Sequence, residues 1–464
     1  MKIEQLHLES LGHASYVIGS DDSGEALVVD PQRDVRPYLE VARDEGWRIR
    51  WVADTHQHND YLSGLSELVA RTGATALGSA HARLGYDHDA VDDGQRFALG
   101  EVGVEVLHTP GHTPEHVSFL LYDGEQDTEV PAALLSGGAL LVGDLARPDL
   151  LGDDDEVDAA ARQFCQTIQT RLLALPDHVL VYPTHVAGSL CGGSIGSRLV
   201  TSVGFERETN EILREVEDTD GFVRRCLDLD GLPAVPPYWV RMRARNQQGV
   251  EPLGAVDPPP ALTVDEFAAA RDAGHIVLDA RSPEAFAGGH VPGALNVEGG
   301  SSFPTWAGTV LPEDAEVLLL LDGPEDVEEV TWSLLRIGYP RPAGWLAGGM
   351  MAWRTAVNDV ATLPTVTADD VAEDPGRYHV LDVRQPSEWS DGHPEGAQLL
   401  TGAELPQRLD EVPRDRTVLT MCGSGFRSSV AASLLAADGH DRVVNLSGGW
   451  AAWQQAGLPT TDGS

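Results

Sequence analysis

Short apolar runs alternate with stretches of helical periodicity over roughly the first half of the chain. The runs are rich in β-branched residues and predict strands at residues 15–19, 26–30, 49–53, 104–107, 117–121, 134–142 and 179–182. Apolar residues at helical spacing predict helices over residues 37–45, 63–72, 157–173 and 198–216. Strands interleaved with helices are typical of a layered α/β domain, which is the fold class that we expect.

The second half of the chain contains an internal repeat. The sequence LDARSP at residues 278–283 recurs as LDVRQP at 381–386, and the LAGG of residues 346–349 recurs as LSGG at 446–449. A period of roughly 100 residues is too long for a solenoid repeat and suits two duplicated domains.

A proline-rich segment separates this repeat from the first half of the chain. Residues 246–262 contain the cluster Pro258-Pro259-Pro260, which predicts a stiff, extended linker. We therefore expect three domains, over residues 1–248, 261–357 and 363–460.

Residue types that bind metals follow several of the predicted strands. His56, His58 and Asp60 lie within five residues, directly after the strand predicted at 49–53. Three further strand ends carry His112, Asp144 and His185. A single loop histidine is more often a hydrogen-bonded structural residue than a ligand, but four such loops in one domain predict a metal site.

The order of these motifs resembles the metallo-β-lactamase fold. That order is His-x-His-x-Asp, then Gly-His-Thr-Pro, then Gly-Asp, then a last histidine after a strand. The resemblance implies an αββα sandwich with the metal at one edge of its two sheets. Residues 182–192 and 204–210 resemble the persulfide dioxygenase branch of this fold.

That branch implies one Fe(II) per chain, held here by His56, His112 and Asp144. His58, Asp60 and His185 match positions that bind metal in the dinuclear hydrolases of the fold. We expect them either to orient the iron ligands by hydrogen bonds or to hold a second metal.

Tyr61 departs from the hydrolase pattern, which has a histidine at this position. A phenol with an ordinary pKa of about 10 is a poor ligand at neutral pH, so one metal is favoured over two. A zinc-dependent thioester hydrolase of the glyoxalase II type remains the alternative. Cys191, in a glycine-rich loop, and Tyr182 are candidates for lining the substrate path.

Both repeat units resemble rhodanese domains, in their D-x-R-x-P, G-H-x-x-G-A and GG-x-x-x-W runs. In the second unit Cys422 follows an apolar run and precedes a tight glycine loop and a helix start. Backbone N–H groups and the positive end of a helix stabilise a thiolate or a persulfide, and Arg427 adds a positive charge. We expect both residues to be catalytic. In the first unit Asp322 stands where the second has Cys422, so this unit is expected to be inactive.

The net charge of −41 disfavours binding to nucleic acid or to anionic membranes. Lys2 is the one lysine, and the acidity with so little lysine favours a halophilic protein, although a GC-rich genome would also replace lysine with arginine. Four distant cysteines do not form a disulfide framework, and no secretory signal is visible at the amino terminus, so a cytoplasmic protein is expected. By general frequency we also expect a homo-oligomer.

The function expected from these features is a two-step sulfur oxidation. A low-molecular-weight thiol persulfide and O₂ would react at the iron to give sulfite and the thiol. Cys422 would exchange sulfane sulfur and make or consume thiosulfate. Glutathione, coenzyme A and γ-glutamylcysteine all remain open as the thiol, as does the direction of the rhodanese step.

Overall fold

The structure, a computed structural model, describes residues 1–124, 126, 129–228 and 234–461. The chain divides into two compact units, one of Met1–Leu232 with Trp239–Val256 and the other of Pro233–Tyr238 with Asp257–Ser464. Within the described residues, every helix is too short or too polar to cross a membrane.

The first unit contains two six-stranded sheets, ordered β1-β2-β3-β4-β5-β6 and β12-β11-β10-β9-β8-β7. Its strands are β1 (Lys2–Leu8), β2 (His13–Ser20), β3 (Glu25–Val29), β4 (Arg48–Ala53), β5 (Thr75–Ser79), β6 (Asp89–Val91), β7 (Arg96–Leu99), β8 (Val102–His108), β9 (Val117–Asp123), β10 (Pro131–Gly137), β11 (Leu180–Pro183) and β12 (Thr201–Ser202). Its helices are α1 (Arg36–Glu45), α2 (Leu65–Thr72), α3 (Asp154–Thr167), α4 (Val203–Thr209), α5 (Thr219–Cys226) and α6 (Trp239–Gln248).

The two sheets pack face to face because successive side chains of each strand point to opposite sides. In β2, Tyr16 and Ile18 belong to a core shared with β8 and β9, whereas Val17 packs with Tyr38 of α1. On the far side of the second sheet, Phe164 of α3 packs with residues of β9 and β10. The layers are therefore helix, sheet, sheet and helix, as the sequence predicts.

Two predicted elements of this unit differ from the structure. The strand predicted over 134–142 ends at Gly137, whose φ of 57° turns the backbone out of the sheet. The helix predicted over 198–216 is split into α4 and the short turn Ile212–Glu215. Asn210 ends α4 in an extended conformation, and its side-chain oxygen accepts a hydrogen bond from the backbone N–H of Ile212.

The second unit contains two five-stranded parallel sheets of the same strand order. The first is ordered β13-β17-β16-β14-β15 and the second β18-β23-β22-β19-β21. The strands are β13 (Ala261–Leu262), β14 (Ile276–Asp279), β15 (Leu295–Asn296), β16 (Val317–Leu320), β17 (Gly344–Leu346), β18 (Thr365–Val366), β19 (Tyr378–Asp382), β20 (His393–Pro394), β21 (Gln398–Leu399), β22 (Thr417–Met421), β23 (Val443–Leu446) and β24 (Thr460–Thr461). The helices are α7 (Val264–Asp272), α8 (Pro283–Ala287), α9 (Phe303–Val310), α10 (Val327–Arg336), α11 (Gly349–Thr355), α12 (Ala368–Glu373), α13 (Pro386–Ser390), α14 (Phe426–Ala437) and α15 (Gly449–Gln455).

The matching strand orders agree with the sequence repeat, since β14, β16 and β17 occupy the places of β19, β22 and β23. One continuous apolar core contains residues of both halves, such as Phe286 and Leu318 of the first and Leu381 and Leu435 of the second. The two halves therefore fold against one another within this unit. The predicted linker begins later than expected, because α6 continues to Gln248.

Candidate metal centre and sulfur-transfer loop

Three histidines from three different strand ends meet in the first unit. His56 follows β4, His112 follows β8 and His185 follows β11. All three are buried, and a ligand nitrogen of each lies within 4.8 Å of those of the other two. The ends of β4, β8 and β11 thus bring together residues that are far apart in the sequence.

The orientation of the His56 ring is set by a chain of hydrogen bonds. The Thr55 hydroxyl donates to the Asp30 carboxylate at 2.9 Å, so its oxygen must accept from Nδ1–H of His56, also at 2.9 Å. The Thr184 hydroxyl also donates to Asp30. Nδ1 therefore carries the proton, and Nε2 of His56 presents a lone pair to the other histidines.

The rings of His112 and His185 are oriented in the same sense. Nδ1 of His112 donates to the carbonyl of Arg147 at 2.8 Å, and its buried Nε2 has no hydrogen-bond partner within the described part of the chain. Nδ1 of His185 faces the Ser189 hydroxyl at 3.3 Å and the Asp60 carboxylate at 3.7 Å. Its Nε2 lies 3.3 Å from Nε2 of His56. The three rings thus converge, each with a ligand nitrogen within 4.8 Å of the other two.

These three imidazoles fit a metal ion. Burial lowers the pKa of His112 to about 4 and the pKa of both His56 and His185 well below 6.5, so all three are neutral at physiological pH. Neutral imidazole nitrogens that converge on one point can donate their lone pairs to a cation placed among them. Neutral imidazole is a ligand for zinc, copper, iron and nickel, so the donor set fits a transition metal.

The role of third iron ligand expected of Asp144 stays a prediction. Its carboxylate accepts hydrogen bonds from the backbone N–H of Leu145 and of Ser194, both within 2.8 Å, and it lines a cavity of about 480 Å³ with Arg225. Among the described residues it belongs to none of the three side-chain groups that could hold a metal. His185 does belong to such a group, with His56 and His112.

His58, expected beside the metal, forms a buried ion pair. Its Nε2 lies 3.1 Å from the Asp30 carboxylate. Burial opposes protonation of His58, but Asp30 outweighs it and raises the histidine pKa to about 8. Asp30 escaped the sequence analysis, although its place after the apolar run 26–29 and before Pro31 is a signal of a strand-end carboxylate. It contacts both His58 and Thr55, and so orients two residues of the first motif.

Tyr61 lies at the same end of the sheet, packed between His13 and His58. Ring centroids are 4.3 Å apart in the first pair and 4.5 Å in the second. Burial raises the pKa of Tyr61 well above 10, so the phenol keeps its proton and is a poor metal ligand. His13 is a buried residue that the sequence analysis missed. The lone histidine of an apolar strand carries no ligand-spacing signal.

The remaining predicted residues separate into two groups. Cys191 lies with Asp60 and His185, their ligand atoms within 4.8 Å of one another, which brings Cys191 next to the histidine centre. Burial and the Asp60 charge raise the pKa of Cys191 well above 9, so the residue is a thiol. Tyr182 instead packs its half-buried ring edge-on against Tyr16 in the core between the sheets.

The Cys422 loop of the second unit has the form that the sequence predicts. Cys422 follows β22, and Gly425 takes a φ of 119° before α14 begins at Phe426. The backbone N–H of Gly425 donates to Sγ at 3.1 Å and the Ser428 hydroxyl donates at 3.5 Å. The loop therefore directs hydrogen-bond donors at the sulfur, which suits an anionic sulfur species.

Arg427 is held beside this loop by Glu388, at 2.6 and 2.7 Å in a two-point ion pair. In the first half of the unit, the segment after β16 carries Asp322 and the turn Pro324–Asp326 before α10. This segment has carboxylates where the other has a thiol and an arginine. It has no group that could carry a persulfide.

Sequence comparison identifies both halves of the chain. Residues 9–128 match the metallo-beta-lactamase superfamily, and residues 263–356 and 367–456 match the rhodanese-like domain. A hydroxyacylglutathione hydrolase of Methylococcus capsulatus is 35% identical over 173 residues, which are 37% of this chain and 60% of that protein. Persulfide dioxygenase ETHE1, mitochondrial, of Homo sapiens is 28% identical over 174 residues, which are 37% of this chain and 63% of that protein. The chain thus spans about three fifths of the length of these curated relatives.

Comparison with solved structures agrees. The crystal structure of a metallo-beta-lactamase from Staphylococcus aureus subsp. aureus COL is 32% identical, with a TM-score of 0.67. The match covers 74% of this chain and 98% of that one. The predicted α/β fold and both predicted family resemblances are confirmed. The chain belongs to the metallo-beta-lactamase superfamily and carries two rhodanese-like domains after its metallo-beta-lactamase domain.

Proposed function

We propose that this protein oxidises the persulfide of a small thiol with dioxygen at its histidine centre and transfers sulfane sulfur at Cys422. The observation that carries the proposal is that one chain holds both a cluster of neutral imidazoles and a cysteine cradle built for anionic sulfur. A persulfide dioxygenase among the relatives supports the first step.

The metal would be held by His56, His112 and His185 through their Nε2 atoms. Iron held by these three residues would supply the redox chemistry that oxidation of a persulfide by dioxygen requires. Thr55 and the Arg147 carbonyl keep the protons of His56 and His112 on Nδ1, so the ligand atoms stay available. The burial of all three rings excludes bulk water from a reactive sulfur species.

The overall first reaction is R–S–S⁻ + O₂ + H₂O → R–SH + HSO₃⁻. The outer sulfur is oxidised and both atoms of dioxygen pass to it, while water breaks the sulfur–sulfur bond and supplies the third oxygen. The thiol leaves with a proton from that water. Cys191, a buried thiol beside His185, stays a candidate for lining the substrate path.

The second reaction exchanges sulfane sulfur with thiosulfate. The Cys422 thiolate attacks the outer sulfur of thiosulfate, forming a cysteine persulfide and releasing sulfite, and the reverse reaction makes thiosulfate. The Gly425 N–H and the Ser428 hydroxyl, which contact Sγ, would stabilise the negative charge of the Cys422 thiolate before it attacks. The first rhodanese-like domain has Asp322 at the corresponding position and therefore has no such thiol.

A zinc-dependent thioester hydrolase is the second candidate, because a hydroxyacylglutathione hydrolase is 35% identical over part of the first domain. A dinuclear hydrolase needs a second complete metal site. Tyr61, with its raised pKa, supplies no ligand to such a site, which favours the oxidation.

Metal analysis combined with an oxygen electrode tests the proposal. The iron-loaded protein is expected to consume one O₂ per glutathione persulfide and to release sulfite. His112→Ala should abolish this uptake and keep sulfur transfer from thiosulfate to cyanide. Cys422→Ser should keep the oxygen uptake and abolish the sulfur transfer. Zinc-dependent hydrolysis of S-lactoylglutathione, without any oxygen uptake on persulfide, would establish the hydrolase instead.

A further inference from the structure

Asn296, at the end of β15, links the first rhodanese-like domain to helix α14 of the second. Its backbone N–H donates to the Ser433 hydroxyl at 2.9 Å, and its side-chain oxygen accepts from the Ser429 hydroxyl at 3.1 Å. All three residues are buried. Ser429 and Ser433 are four residues apart and so share one face of α14. A single asparagine thus holds two successive turns of this helix.

The first domain fixes Asn296 in its turn. The side-chain nitrogen donates both of its hydrogens, one to the carbonyl of Asp279 at 3.1 Å and one to that of Arg281 at 3.0 Å. Arg281 is itself held by a two-point ion pair with the Asp279 carboxylate. Every polar group of the asparagine side chain therefore has a partner, and the amide has no freedom to rotate.

Helix α14 also presents groups to the reactive sulfur. Ser428, which donates to Sγ of Cys422, is the immediate neighbour of Ser429. The Gly425 N–H, the other donor to Sγ, lies at the N-terminus of the same helix. A hydrogen bond weakens steeply with angle and distance, so a small displacement of α14 would weaken both contacts.

A second contact from the first domain reaches the same end of α14. The Trp306 ring of α9 packs edge-on against Phe426, with ring centroids 6.3 Å apart. A side chain at Gly402 would meet the same indole ring, at 2.5 Å, so the second domain leaves space for it. The position of α14 is therefore determined by both domains.

We propose that Asn296 is a positioning residue for sulfur transfer, and that the first rhodanese-like domain holds the Cys422 cradle in its reactive geometry. The first domain has Asp322 in place of a thiol, and its contribution is to hold the Cys422 loop in position. The inference rests on the sulfur transfer proposed above for Cys422.

The test uses the full chain with Asn296→Ala, Ser429→Ala and Ser429→Thr, which keeps the hydroxyl. Site-resolved mass spectrometry measures the rate at which iodoacetamide alkylates Cys422, and thiosulfate-to-cyanide transfer gives kcat and KM. Loss of one hydrogen bond of this kind predicts a roughly tenfold slower alkylation and a similar fall in kcat, with KM little changed. Ser429→Thr should restore both rates to within about twofold of the parent protein.

Asn358→Ala is the matched control, because the side chain of that asparagine donates to the carbonyl of Trp353 within its own domain. It should leave both rates unchanged. Parent-like alkylation of Cys422 in both alanine variants would overturn the inference. So would a Ser429→Thr variant as slow as Ser429→Ala. If Asn296→Ala does not fold, the two Ser429 variants decide the question alone. A parent protein that transfers no sulfur would overturn the proposed function and the role of Asn296 in transfer, while the alkylation rates would still show whether Asn296 positions the Cys422 loop.

Discussion

Nε2 of His56 lies 3.3 Å from Nε2 of His185, although 129 positions separate the two residues in the chain. The Nδ1 atom of each ring faces another oxygen, so the two Nε2 atoms are turned towards each other. Burial lowers the pKa of both histidines, so neither ring carries a positive charge that would oppose a cation between them. This arrangement fits a bound cation, with His56 and His185 as two of its ligands.

The identity of the third ligand is the first prediction. His185→Ala should lower metal affinity by more than the roughly 10–100-fold typical of residues that only orient ligands, because a donor atom is lost. Asp144→Asn should keep metal binding, since its carboxylate contacts backbone N–H groups of its own loop and of Ser194. Metal content after dialysis against a weak chelator measures both. Loss of metal from Asp144→Asn with retention in His185→Ala would restore the ligand set expected from the sequence.

The second prediction concerns the hydrogen bond that orients His56. Thr55→Val keeps the shape of the side chain but removes the oxygen that accepts the Nδ1 proton. Metal affinity should fall by about 10–100-fold. Thr55→Ser, which keeps the hydroxyl, is the control and should bind metal nearly as the parent protein does. Competition with a chromophoric chelator gives the affinities, and equal values for the valine and serine variants would contradict the role of Thr55.

The third prediction is acid instability of the metal-free protein. Burial lowers the pKa of His13 and of His116 to about 3 and that of His112 to about 4, from 6.5 in the unfolded chain. Stability from these neutral rings is fully present above pH 6.5. It is lost as the pH falls from 6.5 towards 4, because only the unfolded chain takes up the protons.

By pH 4 the free energy of unfolding should have fallen by about 3 kcal/mol for each such residue. Calorimetry of the metal-free protein between pH 7 and 5 measures the shift of the first unit's transition. His13→Asn should give a shallower pH dependence, by roughly one proton, whereas the exposed His178→Gln should not change it. A transition temperature that stays constant over this range would contradict the buried neutral state of these rings.

The fourth prediction concerns the backbone of the cysteine loop. Gly425 has a φ of 119°, which side-chain-bearing residues rarely adopt, and its N–H donates to Sγ of Cys422. Gly425→Ala should cost about 1–3 kcal/mol of stability and reduce sulfur transfer by at least about tenfold. Gly396→Ala, at a φ of 74° with nothing within 4 Å of the new carbon, should cost stability without a comparable loss of transfer. Equal effects of both variants on kcat would show that strain, and not the donor to Sγ, is responsible.

Much of the architecture could be predicted from local patterns. Alternating apolar runs located the inner strands β2, β3 and β4, and the repeat of LDxRxP predicted two duplicated domains, whose sheets share one strand order. The prediction failed where a single residue redirects the backbone. Gly137 ends β10 early, and Asn210 ends α4 through a side-chain hydrogen bond. Such endings depend on local geometry that an apolar pattern averages out.

The sequence by itself determined the residue types for the chemistry: histidines at strand ends, and a cysteine before a glycine loop and a helix. These signals are local, because ligand type and loop form are written in a few adjacent residues. Only the tertiary structure decided which strand ends meet. It brought His185 to His56 and His112, joined the Asp144 carboxylate to the backbone of Ser194, and placed Asn296 against the helix of Cys422. Distances between loops depend on the packing of whole sheets, and no short segment of the chain contains that information.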